Sequence, residues 1–185
     1  LKTPESIVKK LKNDGCEVTI ENMVEHLNDI AGIRIICSFM SDIYPIADMI
    51  ARQADITVLH VKDYIKYPKT NGYKSYHMVV TIPVYLSEGK RDTKVEIQIR
   101  TIAMDFWASL EHKIAYKFEG KAPDYLEREL KSCADMVDML DMKMFSLNQA
   151  IMAVEEEERR VEEEKRRERE KAEKRQEELA GNGPT

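Results

Sequence analysis

The sequence is poor in the features that usually announce a protein class. It has three cysteines, Cys16, Cys37 and Cys133. That number is odd and no two form a CxxC pair, so neither a disulfide framework nor a zinc knuckle is expected; a reducing, cytoplasmic setting fits better. No apolar run reaches the roughly 18 residues a membrane span needs. The opening LKTPESIVKK has no apolar h-region, which excludes a signal peptide there. Neither GxxxxGK[ST] nor GxGxxG occurs, so a P-loop or dinucleotide-binding loop is disfavoured. The net charge of -5 gives no global attraction to nucleic acid or an anionic membrane, so any anion site must be a local basic cluster.

What is present fits about one domain with an appendage in 185 residues, enough to bury a core. Residues 4–13 (PESIVKKLKN) read as a short helix, with Pro early and Gly15 after its end. A second helical piece covers 21–28. GIRIICSF (32–39) reads as a buried strand. SDIYPIADMIARQ (41–53) carries a Ser/Asp cap signal and helical spacing. Strands follow at 56–61, 75–86 and 93–101, with SEGKRD as the turn between the last two. Two helical stretches then run from Ile102 and Tyr125. The order α-α-β-α-β-β-β-α-α predicts an α+β fold, a mixed sheet backed by helices. The domain is expected over 1–150, with a charged helix and loose tail over 151–185. In residues 155–178 only Val161 and Ala172 are apolar. Opposite charges at i,i+4 support a solvated helix, and no a/d seam favours a coiled coil. GNGPT ends the chain as a loose terminus.

Three places could carry chemistry. Strand 93–101 alternates, with Val95, Ile97 and Ile99 on one face and Glu96, Gln98 and Arg100 on the other. If 75–86 pairs with it, His77 joins the polar face. A wetted sheet face would look the same. Asp29 precedes a strand that can face a carboxylate on a neighbouring one, an arrangement that suits Mg²⁺; a capping Asp is the plain alternative. Finally, HVKDYIKYPKTNGYKSYH (60–77) interleaves Lys62, Lys66, Lys69 and Lys74 with Tyr64, Tyr67, Tyr73 and Tyr76. Lysines hold phosphates, and a tyrosine beside a glycine turn can present its ring to a base. Asn71-Gly72 would fix Tyr73 at the loop tip. An exposed loop without function is equally compatible. His26 and His60 read as surface histidines, His112 as edging the site, Trp107 as core, and DMVDMLDMKMF as packing.

DIAGIR (29–34), VKDYI with PKTNGY and SYH (61–77), and VEIQIRTIAMDFWASLEHK (95–113) together resemble the synthetase domain of RelA/SpoT-type GTP pyrophosphokinases. The single-domain form with a charged C-terminal helix is similar to the small alarmone synthetases of the stringent response, the RelQ-like group in particular. No hydrolase HD motif is visible. The resemblance covers about residues 2–150. It implies a nucleotidyltransferase-like fold that moves the pyrophosphate of ATP to the 3′-OH of GTP or GDP. It assigns Asp29 to Mg²⁺ and Glu96 to Mg²⁺ or to activation of the 3′-OH. Tyr73 would stack on guanine, with Lys62, Lys69, Asn71 and His77 around that nucleotide. Lys2, Ser6 and Lys10 would meet ATP phosphates, and Arg52 adenine. It further implies a homotetramer, possible stimulation by pppGpp, and possible RNA binding. Family members carry more helix and an Arg before the position of Leu1, so the N-terminus is expected to be incomplete. His60 and Lys74 stand where Arg is common and lack its bidentate geometry. Two other readings stand beside it: a nucleotide- or RNA-binding module in which the same lysines and tyrosines bind without turnover, and an oligomerisation or scaffold protein built on the long C-terminal helices.

Overall fold

The computed structural model describes residues 1–118 and 122–181, without the side chains of 115, 116 and 173–181. It divides into two compact units, Leu1–Met142 and Lys143–Thr185.

The first unit is organised by a strand pair with clean alternation. Strand β3 (Tyr76–Leu86) runs antiparallel to β4 (Gly89–Thr101), with Met78 opposite Ile97 and Val80 opposite Val95. These four are buried, together with Ile99. β1 (Ala31–Cys37) adds parallel to β4, and β2 (Thr57–Asp63) adds antiparallel to β3, giving the order β1-β4-β3-β2. The apolar face is covered by α3 (Met40–Ala51), whose Ile43 and Ala47 pack into the same core. Asp42 starts that helix by accepting from the Phe39 N–H at 3.1 Å. Helix α1 (Pro4–Asn13) begins at Thr3, whose hydroxyl accepts from the Ser6 N–H, with Pro4 in the first turn where its missing N–H costs nothing. Fully buried Leu11 anchors it. α2 (Ile20–His26) follows, and α4 (Ile102–Lys117) leaves the end of β4 directly. Trp107 is buried against Ala108 and Ala134, and its indole N–H reaches the Leu130 carbonyl at 2.9 Å.

The element order matches the sequence expectation throughout, with one correction. β1 is not a buried strand. It forms a sheet edge, and Ile33 and Ile36 are about half exposed. An apolar β-branched run signals a strand, but which strand lies outermost is decided by long-range pairing. The long C-terminal helix expected from the sequence is α5, Asp124–Gly181. Of the expected loose GNGPT terminus, all but Gly181 lies outside the described residues. Among the described residues no helix is long and apolar enough to cross a membrane. Cys16, Cys37 and Cys133 carry free thiols.

Candidate active site

The polar face of the sheet carries the site, and strand register determines which side chains reach it. On β4 it presents Glu96 and Gln98, paired with Val79 and His77 on β3 and with Gly32 and Arg34 on β1. β2 needs an irregularity to contribute. Val58 pairs with Val80 of the core, but the register then slips at Leu59, so that His60 pairs with Val79 and Lys62 with His77. Because strand faces alternate with period two, this single extra residue turns His60 and Lys62 onto the polar face.

Asp29 lies just ahead of β1 and is clamped by two ammonium groups from the N-terminal segment. Lys2 Nζ donates to one carboxylate oxygen at 2.6 Å and Lys10 Nζ to the other at 2.8 Å. Burial pushes the Asp29 carboxyl up, but these hydrogen bonds and charges outweigh it and hold the group below its ordinary value. Glu96 also lies below the usual carboxylate range. The leading cause is the hydrogen bond from His77, opposed by burial, with Gln98 assisting and the nearby Asp29 charge working against it. His77 Nδ1 is 3.2 Å from Glu96 Oε1, and Gln98 Nε2 donates to Glu96 Oε2 at 2.9 Å.

Two cavities open on this face, and both are lined by Asp29 and Glu96. One, of about 310 Å³, is bounded by Lys2, Gly32, Arg34 and Gln98 on the β1 side. The other, of about 120 Å³, is bounded by Lys10, His26, Asn28, His60, Lys62 and His77 on the β2 side. The two carboxylates therefore stand on the border between two compartments, each supplied with its own cations.

The Lys/Tyr loop lies beside the second compartment. Asn71 Oδ1 accepts from the Tyr73 N–H at 3.1 Å, and the Gly72 N–H reaches the Lys69 carbonyl at 2.9 Å. Gly72 adopts φ +88°, which an L side chain rarely takes, and a Cβ there would sit 2.5 Å from Ala134 Cβ. The turn is thus docked on α5, and Tyr73 is not at a free loop tip as the sequence suggested. Its ring packs against the Trp107 cluster. Its hydroxyl contacts His77 Nε2 at 2.8 Å and accepts from Arg100 at 2.5 Å. Lys69 Nζ lies 4.7 Å from the ring centroid. Lys74 ties the loop to α5 through Asp138 at 2.5 Å, and Asn71 reaches Glu111 at 3.3 Å.

The structure thus brings together Asp29, Glu96, Lys2, Lys10, Lys62 and His77, with Tyr73 one hydrogen bond away through His77. It does not bring in Arg52, which ends α3 on the opposite, apolar side of the sheet and lines neither cavity. Ser6 is exposed beside the Thr3 cap, and His112 is exposed on α4. Sequence reasoning read His26 and His60 as surface histidines; both are exposed, and both line the second compartment. It also gave no role to Arg34, although DIAGIR contains it.

Residues 1–121 match the family described as "Region found in RelA / SpoT proteins". The chain belongs to the RelA/SpoT family. Within it, the chain is similar to small alarmone synthetases. It is 50% identical over 151 residues to GTP pyrophosphokinase YwaC of Bacillus subtilis, covering 82% of this chain and 72% of that one. It superimposes on the crystal structure of small alarmone synthetase 2 from Bacillus subtilis with a TM-score of 0.74 at 49% identity, covering 80% of this chain and 77% of the other. Small alarmone synthetase 1 from the same organism, bound to its product pppGpp, gives a TM-score of 0.76 at 36% identity, covering 82% and 76%.

Proposed function

We propose that this chain is a GTP pyrophosphokinase, transferring the β,γ-pyrophosphate of ATP to the 3′-OH of GTP or GDP to give pppGpp or ppGpp and AMP. The observation that carries this reading is the carboxylate pair shared by two cation-lined compartments. A transfer between two nucleotides needs two pockets that meet at the reacting atoms. It also needs charge neutralisation and in-line positioning more than covalent chemistry.

The β1-side compartment, with Lys2 and Arg34, takes the donor ATP. The β2-side compartment, with His60, Lys62 and His77, takes the acceptor phosphates, and Lys10 stands at its rim. Tyr73 supplies the stacking face for guanine once Lys69 moves from over the ring to phosphate. Glu96, kept ionised by His77 and Gln98, accepts the 3′-OH proton. The O3′–Pβ bond forms, the bridge between Pα and Pβ breaks, and AMP leaves.

The donor set fits Mg²⁺. Asp29 and Glu96 offer hard, ionised oxygens, and among the described residues no group of three or more His, Cys, Asp or Glu converges. That suits an ion that shares its ligands between one or two carboxylates and substrate phosphates. When bound, Mg²⁺ supplies charge neutralisation at the transferred group. A homo-oligomer, the tetramer implied by resemblance, is supported by the apolar surface that Met136, Met139 and Leu140 expose on α5.

The test is nucleotide chromatography of ATP, GTP and Mg²⁺ incubated with the protein. AMP and pppGpp should appear together and vanish in Glu96→Gln. Nucleotide binding without AMP release would replace this reading with a binding module.

A further inference from the structure

Arg100 is 5% exposed, yet it carries a full charge, and every nitrogen of its guanidinium has a partner. Nε donates to Ser75 Oγ at 3.1 Å and one terminal nitrogen to Asp105 at 3.2 Å. The other terminal nitrogen donates twice, to Tyr73 Oη at 2.5 Å and to Gln98 Oε1 at 2.8 Å. Ser75 and Asp105 fix the fork, so its last two hydrogens point in set directions. A guanidinium only donates. That fact propagates along two arms.

On the first arm, the Tyr73 hydroxyl accepts from Arg100, so its own hydrogen is left for its remaining partner, His77 Nε2 at 2.8 Å. Nε2 must then accept, and a neutral ring carries its hydrogen on Nδ1, which faces Glu96 Oε1. On the second arm, Gln98 Oε1 faces the guanidinium, so its amide NH₂ must face Glu96 Oε2. A histidine tautomer and an amide flip are both free choices in isolation. Here one buried cation settles both, and in the same sense.

We propose that Arg100 is a positioning residue for Glu96: acting through Tyr73–His77 and through Gln98, it aims one N–H at each carboxylate oxygen and so fixes the plane in which Glu96 meets its proton. This rests on the function proposed above for its catalytic meaning, but the hydrogen placement stands by itself. The same polar face carries other charged groups: Asp29 with its partners Lys2 and Lys10, Arg34 from β1 and Lys62 from β2. The Asp29 charge opposes ionisation of Glu96. None of them contacts Tyr73 Oη or Gln98 Oε1, so none can set the directions of the two arms.

The first test is independent of turnover. Nitrogen NMR of a ¹⁵N-histidine-labelled chain reads the His77 tautomer at a pH where the ring is neutral. A Glu96 carboxylate alone would also draw the hydrogen to Nδ1, so the informative background is Glu96→Gln. The expected result is Nδ1–H in the wild type and still Nδ1–H in Glu96→Gln, with the preference lost when Tyr73→Phe is added. Nε2–H in Glu96→Gln alone, or Nδ1–H surviving in the double variant, would overturn the proposal. The second test is Arg100→Lys, with Tyr73→Phe beside it in case the first fails to fold. Each should lower kcat by about 10- to 100-fold, the cost typical of a lost supporting contact behind a metal-site ligand, and each, placed in the Glu96→Gln background, should lose the Nδ1–H preference of His77. A folded Arg100→Lys variant with reduced kcat and Nδ1–H retained in the Glu96→Gln background would reduce Arg100 to a packing role. An inactive wild type with the expected tautomers would sink the synthetase reading and leave the Arg100 network standing.

Discussion

Gly72→Ala is the sharpest perturbation of the nucleotide loop, because two separate costs can be read at one atom. The backbone there has φ +88°, and a left-handed conformation costs an alanine about 1–2 kcal/mol. The new Cβ would also meet Ala134 Cβ at 2.5 Å, well inside contact, against a helix backbone that has no flexible side chain to move aside. Overpacking of this kind costs about 1–3 kcal/mol. The contact with Lys131 Cδ at 3.1 Å is cheap by comparison, since that side chain can swing away. The sum, about 2–5 kcal/mol, is a large part of a domain stability of about 5–15 kcal/mol. With a urea m-value of about 2 kcal/mol/M, the middle of the usual range, the midpoint should fall by roughly 1–2.5 M. The assay is urea unfolding of Gly72→Ala, Ala134→Gly and the pair. Ala134→Gly alone costs about 1 kcal/mol of helix propensity. In the pair it removes the clash but not the φ strain. The cycle should therefore show a favourable coupling of about 1–3 kcal/mol, with the backbone cost left over. Additivity within about 0.5 kcal/mol would refute the close approach of loop and helix.

Three further outcomes follow from the same network of contacts. Lys10→Met removes one of the two cations that keep Asp29 below its ordinary pKa. A depressed carboxylate contributes stability that is present above its unfolded pKa and lost as pH falls through the folded value. The variant's acid-unfolding midpoint, followed by circular dichroism, should accordingly move to higher pH; an unchanged midpoint would mean Lys2 alone suffices. Asp141 behaves oppositely: burial raises its pKa, with the Thr101 hydrogen bond at 2.6 Å opposing. Its contribution is full below the unfolded value and lost as pH rises through the folded one, so Asp141→Asn should gain thermal stability at pH 7 and none at pH 4. Lys74→Met, which cuts the tie to Asp138 at 2.5 Å, should raise KM for the guanine nucleotide more than for ATP, as measured by initial rates with each substrate varied. Equal effects on both would place the tie outside the acceptor side.

Local pattern accounts for what could be read in advance. The alternation of 93–101 gave the face carrying Glu96 and Gln98, and pairing with 75–86 put His77 beside them, because period two and hairpin register are local properties. The Lys/Tyr loop was visible as composition, but its docking was not. Nothing in PKTNGY says that Gly72 will meet Ala134, a residue 62 positions further on by number. His60 and Lys62 reach the site only through the slip at Leu59, which requires knowing the partner strand. Arg52 shows the reverse failure: a plausible cation in an apolar helix, carried to the wrong side of the sheet because α3 must bury Ile43 and Ala47.

Arg100 marks the limit of reading by alternation. Its position on β4 assigned it correctly to the polar face, and a polar face suggests water. Instead, the end of that face is roofed by the loop, so Arg100 is sealed between Ser75, Tyr73 and Asp105. Burying a guanidinium is costly unless all its donors are used. The loop, docked by Gly72 and Lys74, is what brings Tyr73 and Ser75 within its reach. The same docking that holds Tyr73 for a base thus makes a buried Arg100 tolerable, and the stability of the loop and the orientation of Glu96 become one property of the fold. Loosening Gly72 should therefore disturb not only binding of the guanine nucleotide but also the tautomer of His77, a linkage that the His77 nitrogen spectrum of Gly72→Ala combined with Glu96→Gln can read directly.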